Sequence, residues 1–501
     1  MKSILVALVN PNRLRPAVAP IGLDYLADAL QAAGHRADLL DLCFAPDPPA
    51  AVDDYFRRAA PDLVAVSLRN SDDCYFASQE SFLPGHRAIL ERVRRRTAAP
   101  IVLGGVGFSV MPEGMLRRLG ADLGVAGDGE GALVDLASRV AAGEPLADVP
   151  GLVCRTPDGF RRNPPAPVPL AELPPRRRET VDNARYFREG GQGGVETKRG
   201  CAIGCVYCAD PVAKGRTFRL RPPEMVADEV AALLAQGVDC LHLCDGEFNL
   251  PREHAVAVCQ ALVDRGLGER VRWYTYAAAV PFDADLASLM RRAGCVGVNF
   301  GVDSGSDAML RRLGRPYRSA DLWSTARACR QAGLALMYDL LLGGPGETWE
   351  TVRETVSLMR RIGPDRVGAA LGVRVYPGTR LGEEVRRAGV SPASPHLHGA
   401  LADNDDLVDP VFYVSAALGP DPIGGLRGLI AGDERFFVGA RPGELEANYN
   451  YNDNGVLVEA IRRGERGAYW DILRRVADSQ DGQDARDEQH GSSMGLGRHG
   501  R

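Results

Sequence analysis

Twice along this chain, short apolar runs alternate with helix-length amphipathic segments, and that rhythm leaves few folds open. In the first stretch SILVALV precedes the helical pattern PIGLDYLADALQAAG, and ADLLDL precedes a helix near residues 51–59. DLVAVSL leads through a polar loop at 69–84 to a helix ending near 96. PIVLGGV, a short helix and DLGVAG follow, and GDGEGALVDLASRV opens the last helix. Residues 1–150 are therefore expected to form an α/β domain with a doubly wound parallel sheet. Such sheets bind ligands at the carboxyl ends of their strands, which here are the segments 10–20, 67–70, 104–109 and 127–130.

Residues 151–185 read as a connector, because the six prolines from Pro164 to Pro175 remove ladder donors and favour extended backbone. From 186 to 385 the rhythm returns in GGVETK, CLHLCDG, VRWYTYA, VGVNFGVD, LALMYDLLLG and VGAALGVRVY, with helical stretches between them. These units suggest a (β/α)6 partial barrel with its chemistry at the strand carboxyl ends. Residues 386–475 look mostly helical, and FYVSAALG, ERFFVG and ANYNYNDNG there serve equally as pocket lining or as core and turns. The polar, Gly-rich stretch 476–501 lacks the apolar side chains a core needs and reads as disordered.

The 501 residues suffice for two or three domains, and 45% hydrophobic with 25% charged residues is ordinary globular composition. Lys+Arg 60 against Asp+Glu 65 leaves a net charge of −5, without the basic excess that phosphate neutralisation requires, so no nucleic-acid partner is expected. The run Arg176-Arg177-Arg178 reads as a solvated linker. The apolar start is too short for an export signal, and no apolar run reaches the ~18 residues of a membrane span. A cytoplasmic protein is expected, with its 11 cysteines reduced or binding metal.

KRGCAIGCVYCADP sets Cys201, Cys205 and Cys208 at C-x3-C-x2-C on the loop after the first barrel strand. Closely spaced thiolates bind soft metals. A structural zinc site takes four ligands, and His242 and Cys244 lie on a different strand. Three thiolates satisfy three irons of a [4Fe–4S] cluster and leave the fourth open to a substrate or cofactor. The open cluster is the favoured reading and zinc the alternative.

At these residues the chain resembles the radical S-adenosylmethionine (SAM) enzymes. Arg199 and Gly200 precede the first cysteine and Tyr207 the last. CDGEFN is similar to the family's segment for the methionine amino group, which puts Gly246 and Glu247 there, and GVNFGVDSGSDAMLRRLGR resembles its ribose-contacting strand, with Asp303 and Ser304 in place. LLLGGPGET, containing Gly344, and VYPGT match the segments after the fifth and sixth strands. The resemblance implies a [4Fe–4S] cluster and SAM as cofactors, with Tyr207, Gly246, Glu247, Asp303, Ser304 and Gly344 around SAM. Reductive cleavage would give a 5′-deoxyadenosyl radical, which a closed apolar barrel has to confine.

The first domain resembles the cobalamin-binding domain that precedes the barrel in one branch of this family. The resemblance rests on VNPNRLRPAVAPIGLDYLADAL, VSLRN and GGVGFSVMPEGMLRRLGADLGVAGDGEGAL. It implies cobalamin contacts from Ser67, Arg69, Asn70, Gly104, Gly105, Gly107, Ser109, Gly127, Gly129 and Glu130, with glycines letting backbone approach a flat corrin. The D-x-H-x-x-G motif that supplies a histidine to cobalt is missing, so the lower ligand has no assignment. His35, the only histidine expected near this sheet, follows a helix-ending glycine and reads as a capping or surface residue. Met115, Met225, Met290, Met309 and Met359 sit in helical patterns and read as core.

Taken together the resemblance implies a cobalamin-dependent radical SAM enzyme methylating an unactivated carbon of a small-molecule or lipid-like intermediate. It would use methylcobalamin and the deoxyadenosyl radical, with flavodoxin or ferredoxin as electron donor. The alternative is the same cofactor pair in a non-methylating oxidation, cyclisation or rearrangement. An RNA-modifying methylthiotransferase is disfavoured, since Cys43, Cys74 and Cys154 are scattered and the tail is not basic.

Overall fold

The computed structural model describes residues 2–438 and 454–479. The first sheet has seven strands: β1 (Leu5–Asn10), β2 (Arg36–Asp41), β3 (Leu63–Ser67), β4 (Ile101–Gly104), β5 (Leu123–Val125), β6 (Leu152–Thr156) and β7 (Gly159–Arg162), in the order β2-β1-β3-β4-β5-β6-β7. β1 to β5 are parallel, as expected, and helices Ile21–Ala32, Pro48–Arg58, Leu83–Arg94 and Glu130–Ala142 cover the faces. β1 and β3 are buried almost throughout, which accounts for their unbroken apolar runs. Asp47 accepts from Ala50 N and caps Pro48–Arg58, whose first residues are prolines that need no partner for an N–H.

β6 and β7 form an antiparallel hairpin on the edge of this sheet, so the first part of the expected connector 151–185 is strand rather than link. The remainder holds no helix or strand before helix Asn183–Gly190, and it turns at 170–173. The histidine reading also changes. His35 is buried and meets Ser138 Oγ at 3.3 Å instead of facing solvent, and His86 stands near the same sheet, with Nε2 3.1 Å from Asn70 O.

The second sheet begins with β8 (Gly193–Val195). A short antiparallel pair, β9 (Lys198–Arg199) and β10 (Arg219–Leu220), brackets the cysteine loop. β11 (Cys240–Leu243), β12 (Arg272–Ala277), β13 (Cys295–Asp303), β14 (Ala335–Leu342) and β15 (Arg366–Leu371) continue the parallel sheet, so all the expected barrel strands are present. The C-terminal region is less helical than expected. It holds a small antiparallel sheet of β16 (Val373–Arg374), β17 (Leu397–Gly399) and β18 (Val411–Tyr413). It also returns β19 (Phe436–Val438) to the open edge beside β15. The sheet order β19-β15-β14-β13-β12-β11-β8 is that of a partial barrel.

One large apolar core fills the barrel and its helices, and two further cores lie on the two faces of the first sheet. Met115, Met290, Met309 and Met359 are fully buried, as expected, whereas Met225 is half-buried. Most of ANYNYNDNG and nearly all of the tail lie outside the described residues.

The arginine run is not a solvated linker. Arg178 is fully buried and reaches Asp24 Oδ2 (2.8 Å), Glu229 Oε1 (2.7 Å) and Asn183 Oδ1 (2.8 Å), joining the first helix of one domain to helix Pro223–Ala235 of the other. Arg176 lies over the Tyr25 ring, 3.9 Å from its centre, and pairs with Glu130; Arg177 alone is exposed.

Candidate active site

The cysteine loop is held by backbone bonds and by glycine. Gly200 has φ +83°, and a Cβ there would come within 2.1 Å of Thr217 O, which explains the Arg-Gly before Cys201. Cys201 N donates to Gly215 O, Val206 N to Leu313 O, and Leu381 N to Val206 O, so the loop is clamped between two helices. Burial pushes all three thiols up, Cys208 to about 12, and a bound metal would displace their protons. Among the described residues no three His, Cys, Asp or Glu side chains converge as ligands of a single ion. The three-thiol set instead fits an iron–sulfur cluster, where each cysteine takes a separate iron.

Three of the residues assigned to SAM or the cluster meet at one arginine, and a fourth joins them through Asp303. Arg315 donates from Nη1 to Cys205 Sγ (2.9 Å), places Nε 3.3 Å from Asp303 Oδ2, and places Nη2 3.7 Å from Glu247 Oε1. Tyr207 OH donates to Asp303 Oδ2 at 2.7 Å. Glu247 Oε2 is buried without a partner, and burial pushes its carboxyl up to about 7, against the opposing pull of Arg315. A buried carboxyl with one free acceptor suits an ammonium donor. Arg315 was not foreseen: in RRLGR it looks like one more helix-end cation, and only its 8% exposure marks it.

The neighbours divide. Asp245, in the same CDGEFN segment, is occupied by Thr197 N and Oγ1 and by Lys198 Nζ, and so ties β11 to β9. Gly246 sits beside Asp210. Ser304 and Gly344 stand outside the arginine network: the Ser304 hydroxyl faces Thr355 Oγ1 at 3.0 Å, and Gly344 packs near Leu313 and Met309.

A cavity of about 580 Å³ opens where the carboxyl ends of β1, β3, β4 and β5 face the barrel. Ser67, Arg69, Asn70, Gly104, Gly105, Ser109, Gly127, Gly129 and Glu130 all line it, and all four expected strand-end segments contribute. Gly107 does not line it; its N–H bonds Leu68 O and Arg69 O, and a Cβ would come within 3.0 Å of both carbonyls. A Cβ at Gly104 would meet only Val125 O at 3.8 Å, leaving room for a flat group, beside the amides of Asn10, Asn12 and Asn70. Ser109 Oγ is already engaged, donating to Gly105 O and accepting from Gly127 N. Glu130 is likewise engaged, by Arg199 and Arg176. The cavity continues into the barrel past His242, Cys244 and Tyr276 to Asn299, Met337 and Trp470.

Two family models match the chain: the Radical SAM superfamily over residues 195–359 and the B12 binding domain over residues 12–137. Tryptophan 2-C-methyltransferase of Streptomyces laurentii is 38% identical, the match covering 74% of this chain and 73% of that one. The chain belongs to the radical SAM methyltransferases that carry a B12 binding domain. The structure of one such methyltransferase, TsrM from Kitasatospora setae with tryptophan substrate and a SAM analogue bound, is 33% identical with TM-score 0.88 over 97% of this chain and 100% of that one. TsrM with cobalamin and a [4Fe–4S] cluster bound gives TM-score 0.87 at 32% identity over the same shares. The expected cofactor set of a [4Fe–4S] cluster, SAM and cobalamin agrees with both family models and with the groups bound in TsrM. Among the described residues no helix is long and apolar enough to cross a membrane.

Proposed function

We propose that this radical SAM methyltransferase transfers a methyl group, by way of cobalamin, to a ring carbon of tryptophan or a closely related indole. The observation that carries the reading is the single cavity joining the first domain's strand ends to an aromatic barrel interior. It occurs in a chain 38% identical to a tryptophan 2-C-methyltransferase. When bound, cobalamin supplies a methyl carrier, and the cluster with SAM supplies a route to a deoxyadenosyl radical.

The chain's own residues do the rest. Cys201, Cys205 and Cys208 would hold the cluster. Glu247, Asp303, Tyr207 and Arg315 present two carboxyls, a phenol and a guanidinium for SAM. Gly104, Gly127 and Gly129 with Ser67, Arg69 and Asn70 would face the corrin. Burial holds His242 well below its ordinary value, at about 4, so it is neutral at working pH, and its ring lies 5.0 Å from that of Tyr276. Two such rings on the cavity wall suit an indole, which binds by stacking and edge contacts.

The proposed setting is the cytoplasm, with a flavodoxin or ferredoxin as electron donor. The test is anaerobic: protein loaded with cobalamin and cluster is given SAM, a low-potential reductant and tryptophan. The expected products are methyltryptophan and S-adenosylhomocysteine. A saturated substrate carbon must lose a hydrogen atom first and would add one 5′-deoxyadenosine per product, whereas an electron-rich indole carbon can shed its proton after the methyl arrives. Deoxyadenosine without S-adenosylhomocysteine would replace this reading with a non-methylating oxidation, cyclisation or rearrangement.

A further inference from the structure

We propose that the inner end of the cavity is a subsite for the ammonium group of the substrate, formed by the amide oxygens of Asn299 and Gln192. The inference deepens the indole reading above and rests on it. Asn299 stands mid-way along β13, is 4% exposed, and lines the cavity. Its Nδ2 donates to Asp339 Oδ2 at 3.3 Å, which fixes the amide's orientation. Oδ1, the other end of the amide, is buried and has no hydrogen-bond partner. Gln192, just before β8, lines the same cavity, and its Oε1 is likewise buried without a partner.

A buried amide oxygen left unpaired is costly, so native cores rarely keep one without a reason. Asn299 Oδ1 calls for a donor, and the carboxyl of Asp339 behind it favours a cation over a neutral one, while Gln192 Oε1, beside the far edge strand of the same sheet, offers a second acceptor on the cavity wall. The surroundings suit what an aromatic amine carries beside its nitrogen. Tyr276 on β12 and Met337 on β14 are the register neighbours of Asn299, and Trp470 closes the same end. The basic side chains lining the cavity, Arg69, Arg199 and Lys214, come from other segments, and no cation lines it from β12, β13 or β14. The subsite therefore selects an indole bearing a primary ammonium over one that bears a carboxylate alone.

The test measures binding without turnover. Holoenzyme carrying cobalamin and cluster, with no SAM present, is dialysed to equilibrium against tryptophan, tryptamine and indole-3-propionate. Tryptophan and tryptamine are expected to bind about 10- to 100-fold more tightly than indole-3-propionate, the range of a hydrogen bond to a charged group. Asn299→Leu should abolish that preference, Gln192→Leu should reduce it, and Asn299→Asp should keep or enlarge it. Visible absorption of both cofactors checks that each variant is loaded; if Asn299→Leu does not load, Asn299→Asp and Gln192→Leu carry the comparison. Equal binding of tryptamine and indole-3-propionate by the parent protein, or a preference that survives these changes, overturns the subsite and leaves the methyltransferase reading standing. If none of the indoles binds, the indole reading falls and the subsite with it.

Discussion

Asp303 takes a left-handed backbone (φ +61°), which few residues other than glycine adopt without strain, while its carboxyl meets Tyr207 and Arg315. Strain of this kind persists where the surroundings over-determine it, and here they are the cysteine loop and the end of β13. Replacing any one of Cys201, Cys205 or Cys208 by Ala is expected to abolish cluster binding and methyl transfer while the first domain still folds. Iron content and methyltryptophan formation measure this, and a variant that keeps the parent's iron and activity would sink the cluster assignment. Gly105 has φ +95°, and a Cβ there would meet Leu68 O at 2.7 Å. Gly105→Ala should cost about 1–3 kcal/mol, read from the denaturation midpoint; an unshifted midpoint would show that the segment yields. At this scale the sequence was informative where chemistry demands rare residues at fixed offsets, as in the cysteine triad and CDGEFN. It was silent on Arg315, because arginine is common in this chain and nothing local distinguishes a buried guanidinium from an exposed one. It also could not show that Ser304 turns to Thr355, since side-chain direction depends on a helix fifty residues further on.

Among the elements, the strands that were legible are those buried on both faces, whose apolar runs are nearly unbroken, such as LVAVS in β3 and VGVNFGVD in β13. β6, β7 and β19 were not. β7 reads GFRR and is largely exposed on the sheet edge, so its composition resembles a loop. β19 is three residues long and owes its state to the open edge of β15. The partial barrel depends on such late-arriving pieces. Trp470 is 5% exposed, packs with Tyr274 and Met337, and closes the inner end of the cavity. Trp470→Ala is expected to cost about 3–5 kcal/mol and to weaken substrate binding, measured by thermal unfolding and by dialysis. Unchanged affinity would place the substrate elsewhere in the cavity.

Across the whole molecule, charge buried between the domains holds them in register. Removing one member of such a cluster leaves its partners uncompensated, so Arg178→Met should destabilise by about 3–5 kcal/mol; calorimetry would show it, and a neutral outcome would mean the domains re-pack. Glu130 gives a pH signature. Burial alone would raise its carboxyl, but Arg199 and Arg176 outweigh burial and hold it at about 2 against an ordinary 4.5. The stabilisation is complete above pH 4.5 and fades as the pH falls toward 2. In the apoprotein, Glu130→Gln should flatten the fall in stability across that window, and an unaltered slope would show that other carboxyls govern it. The arginine run has a further consequence for how such a protein can be changed. Arg176 and Arg178 belong by position to the link but find their partners in both domains, with Asp24, Tyr25 and Glu130 on one side and Glu229 on the other. A chimera spliced at the prolines would carry these guanidiniums into a seam that no longer neutralises them. Any exchange of modules must therefore take the strap and its acidic sockets together, which makes the cofactor domain and the barrel a single unit of inheritance.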